Sequence, residues 1–210
     1  NLLDQGIEVM YSSRNELERK AIQDKITQFQ DHPDAWIRVT SIMEGCRHLQ
    51  TKFIAVHILE QTIKYRWGTL PPPQKEGIKR FAIMYLVNVS SNEATYQANH
   101  VVVGKMNVCL VQIVKHEWPH NWPDFIPSLI ESGKTNEVIC ENNMKIIRLI
   151  SEEIFDFSAE QMTSEKIALL KGSLTQEFHQ IYLLSEFVLL NATRVQLLKA
   201  TLQALQRYAT

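Results

Sequence analysis

The sequence predicts an all-α protein, and three observations support this fold class. Apolar residues recur at helical spacing along most of the 210 residues, and no segment shows the alternation that is typical of a half-buried strand. Glycine and proline number only 7 each, which is too few for an all-β protein with many tight turns. The length suits one large domain or a run of stacked repeats with a continuous core.

The first predicted pair of helices lies near the start of the chain. Ser13 before Glu16 resembles a capping box, and Pro33 marks the end of the first helix. Asp34 can then cap a second, shorter helix that ends near Gly45. The inward positions of the first helix are Leu17, Ala21, Ile22, Ile26 and Phe29.

Further helices follow at regular intervals. The helix predicted over 50–67 is apolar on most of its circumference, which indicates burial against several neighbours. Three prolines at 71–73 stop the chain before a helix over 74–89, and "SSNEATYQ" is predicted to be a loop. The remaining predicted helices cover about 97–118, 121–132, 136–156, 163–190 and 193–208.

Long helices alternate with partner helices, which indicates a repeat architecture. The long helices begin near residues 13, 50, 97, 136 and 193. All but the last interval lie near the roughly 40-residue period of HEAT and armadillo repeats. A hairpin that is apolar on both flanks is stable only in a stack. We therefore predict a single continuous α-solenoid over residues 1–210, with about five HEAT-type antiparallel hairpins, each formed by a long helix and the helix that follows it.

Charge and hydropathy exclude two classes of ligand. The formal net charge is −1 and the pI is about 6.7, so overall electrostatics favour neither nucleic acid nor an anionic membrane. Charged residues such as Lys105 and Glu186 interrupt the most apolar stretches, and we predict no membrane insertion. Cys46, Cys109 and Cys140 are far apart in apolar helical runs, which predicts buried free thiols and a reducing compartment.

The residues His116, Glu117 and His120 spell H-E-x-x-H, the pattern of zinc peptidases. A zinc site needs both histidines on one continuous helix. Pro119 would remove a helical hydrogen bond and clash with the preceding turn, so we predict that one helix ends at Trp118 and that no metal is bound. A zinc peptidase is the alternative from another class, and analysis for bound metal would test it.

The helix break at Pro119 also explains two Trp-Pro pairs. Trp118-Pro119 and Trp122-Pro123 predict a tight corner between two helices, with Pro123 in the first turn of the next helix near Asn121. We expect these residues, with Trp36 and Trp67, to have packing roles. The sequence contains neither a phosphate-binding loop nor a convergent catalytic set, so we predict no enzyme activity and no cofactor.

Four segments carry a family resemblance. They are "HPDAW" (32–36), "KYRWGTLP" with "EGIKRF" (64–81), "VGKMNVCLVQIVKHEWPHNWPDFI" (103–126) and "ICENNMKIIRLISEEIFDFS" (139–158). In this order they closely resemble the amino-terminal part of the exportin-1 family, the nuclear export receptors of the importin-β superfamily. The resemblance covers nearly the whole chain.

The resemblance implies a function in transport. Such a receptor binds Ran-GTP, contacts nucleoporins and carries cargo with leucine-rich export signals, shuttling between nucleus and cytoplasm. It implies a Ran-binding region of the importin-β amino-terminal type over about 13–90 and an exportin-1-like region over about 91–210. The cargo groove and its reactive cysteine would lie outside this chain. Two alternatives are another importin-β transport receptor and a HEAT scaffold without a transport role.

The resemblance also implies candidate contacts with Ran. In this superfamily the GTPase lies against the inner helices of the hairpins, which the predicted pairing places at 34–45, 74–89, 121–132 and 163–190. The candidate residues on these helices are Asp34, Arg38, Gln74, Lys75, Ile78, Lys79, Asn121 and Asp124.

Overall fold

The computed structural model describes residues 2–157 and 162–207, and within these ranges it is almost entirely helical and contains no strand. The helices are α1 (Leu2–Ser12), α2 (Glu16–Asp31), α3 (Val39–Gly45), α4 (Leu49–Arg66), α5 (Pro72–Ser90), α6 (Glu93–Ala98), α7 (His100–Glu117), α8 (Phe125–Gly133), α9 (Glu137–Glu152), α10 (Ser164–Asn191) and α11 (Val195–Gln206). Two 3₁₀ segments, Ala35–Arg38 and Trp67–Thr69, lie beside α3 and α4. A π-helical turn, Glu153–Phe157, follows α9. No described helix is long and apolar enough to cross a membrane.

Two helices were missed by the sequence prediction. α1 contains Gly6, which lowers intrinsic helix propensity, and tertiary packing compensates because α1 lies against α2. A Cβ at Gly6 would approach Ile22 to 3.4 Å, so glycine allows this close approach. α6 lies where a loop was predicted, and the Asn92 side chain caps it by accepting a hydrogen bond from the Thr95 N–H.

Two predicted helix starts were wrong. Asn15, rather than Ser13, caps α2, because its side chain accepts from the N–H groups of Leu17 and Glu18. α8 begins at Phe125 rather than near Asn121. In both cases several polar residues precede the helix, and only the backbone torsions decide which one is the cap.

The pairing of helices differs from the predicted one. The helices that pack as neighbouring hairpins are α1 with α2, α3 with α4, α5 with α7, α8 with α9, and α10 with α11. The helices that begin near residues 13, 50, 97, 136 and 193 are therefore the second members of their hairpins rather than the first. The error follows from the missed α1, because one uncounted helix at the start shifts every later pair by one.

The second helices form one layer of the stack. α4 packs on α7, α7 packs on α9, and α9 packs on α11. One contiguous apolar core runs through these contacts and reaches the first helices α5, α8 and α10. The predicted all-α solenoid of about five HEAT-type hairpins is confirmed, although the members of each hairpin are reassigned.

Candidate partner-binding surface

The Trp-Pro corner joins the third hairpin to the fourth. α7 ends at Glu117 because Trp118 has extended torsions, with φ −82° and ψ 146°. The Trp118 side chain is only 1% exposed, and the Trp118–Pro119 peptide bond is cis. Pro123 lies in the turn before α8 rather than in the first helical turn that was predicted.

The H-E-x-x-H residues lie on two different elements. His116 and Glu117 end α7, whereas His120 lies in the following turn. His116 stacks on Trp67 and its Nε2 lies 3.2 Å from the Ile63 carbonyl oxygen, and burial lowers the pKa of His116. Glu117 accepts a hydrogen bond from Trp67 Nε1 at 2.6 Å. These side chains stabilise packing between α4 and α7, and no group of three metal-ligating side chains occurs among the described residues.

The tryptophans differ in how much of the ring is covered. Trp67 is buried, and the Lys75 ammonium lies 5.9 Å from the centroid of its ring. Trp122 is half-buried, with Phe125 edge-on at 4.7 Å and the Lys79 ammonium 5.2 Å from its centroid. Trp36 is half-buried against the core. Two lysines of α5 therefore cover two aromatic rings near the corner.

The candidate contacts are only partly brought together. Gln74, Lys75 and Lys79 lie on one end of α5, near the corner that contains Asn121 and Asp124. Gln74, Asn121 and Asp124 are exposed, whereas Lys75 and Lys79 are half-buried. Asn121 and Asp124 lie in the turn before α8 rather than on a helix, which corrects their predicted place.

Three other candidates lie elsewhere. Ile78 is 5% exposed and belongs to the core, so its side chain packs inside the stack rather than at the surface. Asp34 is exposed before the 3₁₀ turn that precedes α3. Arg38 lines a groove of about 1000 Å³ between α1, α2 and α3, on a part of the surface away from the corner.

The corrected pairing changes which helices are second in their hairpins. The predicted candidates lie on first helices or in the turns before them. The second-helix surface of α4 and α7 instead presents Phe53, His57 and Glu60 beside Lys105. The Lys105 ammonium forms an ion pair with Glu60 and lies 5.6 Å from the Phe53 ring centroid. Sequence reasoning missed this surface because the all-round apolar pattern of α4 hid its exposed stripe.

The three cysteines are buried and free. Burial raises the pKa of Cys46, of Cys109 and, to about 12, of Cys140. Cys109 is the most enclosed, and its Sγ lies 3.5 Å from the Val56 carbonyl oxygen. Each thiol is therefore protonated and unreactive at neutral pH.

A buried ion network joins the last three hairpins. Glu141 of α9 is 1% exposed and accepts from Lys145 Nζ and from Arg194 Nε, both at 2.6 Å. Arg194, just before α11, also pairs with Glu93 at the start of α6. Burial lowers the pKa of Lys145, but the hydrogen bonds to Glu141 and Tyr96 outweigh this effect and raise it above its ordinary value. The network is thus anchored on a single buried carboxylate.

A neutral pair extends the network between α7 and α9. Asn107 donates to the Asn142 side-chain oxygen at 2.8 Å, and Asn142 donates in return at 3.1 Å. The Tyr96 hydroxyl lies 3.4 Å from the same Asn142 oxygen. All three side chains are buried, so these hydrogen bonds satisfy groups that water does not reach.

Two protein-family models match this helical stack, one in each half of the chain. The family model described as Exportin 1-like protein matches residues 99–210, and the model of the importin-β amino-terminal domain matches residues 22–88. The chain is 49% identical over 211 residues to Exportin-1 of Dictyostelium discoideum, covering 99% of this chain and 20% of that protein. It is 44% identical over 207 residues to Protein EXPORTIN 1A of Arabidopsis thaliana, covering 99% of this chain and 19% of that protein.

More distant similarity extends to Exportin-5 of Homo sapiens, which is 24% identical over 131 residues, or 62% of this chain and 10% of that protein. The chain spans about a fifth of the length of the curated Exportin-1 relatives it matches. The residues that spell the Trp-Pro corner lie within the first of the two family matches. This chain therefore belongs to the exportin 1-like family of proteins with an importin-β amino-terminal domain.

Proposed function

We propose that this chain is the amino-terminal part of a nuclear export receptor that binds Ran-GTP and carries cargo with leucine-rich export signals from nucleus to cytoplasm. The observation that carries this proposal is the pair of adjacent family matches, importin-β amino-terminal and exportin 1-like, on one continuous stack of hairpins. We assign the Ran-binding region to about 13–90 and the exportin-1-like region to about 91–210. The receptor shuttles through the nuclear pore and contacts nucleoporins on the way.

The function is one of binding rather than catalysis. Ran-GTP and cargo each raise the receptor's affinity for the other, because linkage between two sites is reciprocal. The cargo groove belongs to repeats outside this chain, so the chain by itself supplies one part of a multipoint clamp on the GTPase. A clamp that is cut loses effective concentration, and the isolated chain binds Ran-GTP more weakly than the whole receptor does.

The second helices are the proposed Ran-facing surface. The superfamily resemblance implies that Ran lies against this layer, and the hairpin pairing identifies the layer as α2, α4, α7, α9 and α11. Phe53 is 39% exposed on α4, with the Lys105 ammonium against its ring. An exposed aromatic flanked by a charged pair is a common form of interface anchor. Among the original candidates, Lys75 and Lys79 remain the proposed contacts on the first-helix side.

Binding of Ran in two nucleotide states tests the function. We expect the chain to bind Ran loaded with a non-hydrolysable GTP analogue more tightly than Ran loaded with GDP, measured by titration calorimetry. Equal affinity for both forms would favour a HEAT scaffold without a transport role. If the isolated chain binds neither form, the same titration is repeated with the full-length receptor and an export-signal peptide. A lack of Ran binding in that experiment overturns the proposal.

Two variants then locate the surface. We expect Phe53→Ala to weaken Ran-GTP binding about tenfold, and the double reversal Lys75→Glu with Lys79→Glu to have a smaller effect. The opposite ranking would place Ran on the first-helix side and restore the original candidates. Phe53 is partly exposed, whereas the two lysines are half-buried against tryptophan rings, so the melting temperature of each variant serves as the folding control.

A further inference from the structure

A pocket of about 560 Å³ with several basic side chains lies where the last turns of α4 and α7 meet the start of α10. The side chains that matter for its chemistry are Lys64, Gln112, Lys115, His116, Thr163 and Lys166. Three lysines thus line one pocket, and none of its described lining residues is a carboxylate. The pocket is separate from the Phe53 surface and from the corner lysines of α5.

Two nearby carboxylates, those of Glu153 and Glu117, have partners of their own. Glu153 accepts from Lys115 Nζ at 2.7 Å, and Glu117 accepts from the Trp67 indole. Within the described part of the chain, Lys64 and Lys166 have no carboxylate within ion-pair distance, and Lys166 Nζ contacts only the Trp118 carbonyl oxygen, at 3.4 Å. Glu153 pairs with Lys115, and Glu117 favours the charged form of Lys166 through space, so the described part of the protein balances the positive charge of the pocket only in part.

The amino terminus of α10 adds to this charge. Thr163 caps the 28-residue helix by accepting from the Lys166 N–H at 3.3 Å. The first N–H groups of a helix and its macrodipole favour an anion at this end. His116 contributes a neutral imidazole at pH 7, since burial lowers its pKa, so the lysines and the helix end define the electrostatics.

Helix dipoles alone explain only part of this arrangement. Lys64 and Lys115 lie in the last turns of α4 and α7, where a cation is favourable. Lys166 lies in the first turn of α10, where a cation is unfavourable. Burial also lowers the pKa of Lys166. Glu117 acts on Lys166 only through space. A positive charge that lies against the dipole without a direct ion pair among the described residues points to an anion supplied from outside the chain.

We infer that this pocket binds an acidic side chain from a protein partner, with Lys64, Lys166 and the start of α10 as the anion-binding groups. Its volume of about 560 Å³ admits one or two side chains rather than a run of nucleotides. The net charge of −1 likewise argues against general polyanion binding. This inference goes beyond the proposed transport function and does not depend on it.

A synthetic peptide tests the pocket without any transport partner. We expect fluorescein-labelled hexaglutamate to bind this chain, measured by fluorescence anisotropy, whereas labelled hexaglutamine does not bind. Binding weakens as sodium chloride is added, because salt screens partly exposed charges. We expect the double variant Lys64→Gln with Lys166→Gln to lower the affinity at least about tenfold, through the loss of charge-assisted hydrogen bonds.

A matched variant separates the pocket from overall charge. Lys20→Gln with Lys199→Gln removes the same number of charges from exposed positions on α2 and α11. Neither lysine forms an ion pair with another described residue, and we expect this variant to leave the affinity unchanged. Lys166→Gln alone is the second test if the double variant melts early. Equal weakening in both double variants, or no binding of hexaglutamate, overturns the inference. Inorganic phosphate is tested as an alternative ligand. If phosphate binds, loses affinity in the Lys64→Gln with Lys166→Gln variant, and hexaglutamate does not bind, the pocket is a site for a small anion and the assignment to an acidic side chain is overturned.

Discussion

Two junctions between stacked second helices are built on different chemistry. Between α4 and α7 the buried side chains are mostly apolar. Cys109 and His116 contact the backbone carbonyls of Val56 and Ile63 there. The Lys105–Glu60 ion pair and the Trp67–Glu117 hydrogen bond are the other polar contacts described at this junction. Between α7, α9 and the start of α11, by contrast, the centre is polar, with the Asn107–Asn142 pair and the ions around Glu141.

The difference separates stability from specificity. Apolar burial is favourable but non-directional, so it tolerates small shifts of one helix along another. A buried ion network is favourable only in one arrangement, because every misplaced charge loses its partner. We propose that the polar junction sets the register of the last three hairpins, while the apolar junction supplies more of the stability of the stack.

The largest expected effect comes from the centre of the ion network. Glu141→Gln leaves Arg194 and Lys145 without their shared carboxylate, and we expect a loss of about 3–5 kcal/mol in unfolding free energy. Urea unfolding measures this loss. Glu131→Gln is the control, because its pair with Lys134 is exposed on both sides and should change stability by less than about 0.5 kcal/mol. If both variants lost similar amounts of unfolding free energy, the buried network would not stabilise the protein more than an exposed ion pair does.

The apolar junction is tested by removing buried volume. Ile63 of α4 is fully buried, and Ile63→Ala should cost about 2–5 kcal/mol through lost burial and the cavity left behind. Ile83→Ala on α5 is the matched control, since Ile83 is 37% exposed. The free energies of both variants come from urea unfolding. If Ile83→Ala lost as much unfolding free energy as Ile63→Ala, the cost of truncation at these two sites would not follow from how deeply each side chain is buried.

A smaller effect is expected from the neutral pair. Asn107→Leu leaves the Asn142 side chain buried without its main partner, which should cost about 1–3 kcal/mol. The double variant Asn107→Leu with Asn142→Leu removes both polar groups and should recover most of the loss. If the loss of unfolding free energy in the double variant equalled the sum of the losses in the two single variants, the pair would not be a coupled unit.

The smallest expected effect is a pH dependence at the first hairpin. Partial burial raises the pKa of Asp4, but hydrogen bonds from Thr51 and from the Arg47 N–H outweigh it and hold the pKa below 3.8. A lowered folded-state pKa contributes stability above pH 3.8, which is lost as the pH falls further.

Comparison with Asp4→Asn isolates this contribution. The native chain should lose more unfolding free energy between pH 5 and pH 3 than the variant loses, by less than about 1 kcal/mol because Asp4 is partly solvated. If the unfolding free energies of the two proteins changed equally with pH, Asp4 would not be the source of the pH dependence.

The sequence by itself determined the all-α class, the approximate place of most helices and the break after Glu117. Helical periodicity and the proline at 119 are local properties, so they survive without knowledge of the fold. The burial of Cys109 and of Trp118 followed from the same local patterns.

Only the tertiary structure decided which helices are partners. α1 has weak local signals and is held by its contact with α2, so its omission moved every hairpin by one helix. That shift changed which helices form the second-helix layer. The tertiary structure also places Ile78 among the core residues. The partners of Glu141 lie 53 residues away at Arg194 as well as one turn away at Lys145. Such long-range pairs leave no periodic mark on the sequence, because they depend on how the hairpins stack rather than on the helix to which each residue belongs.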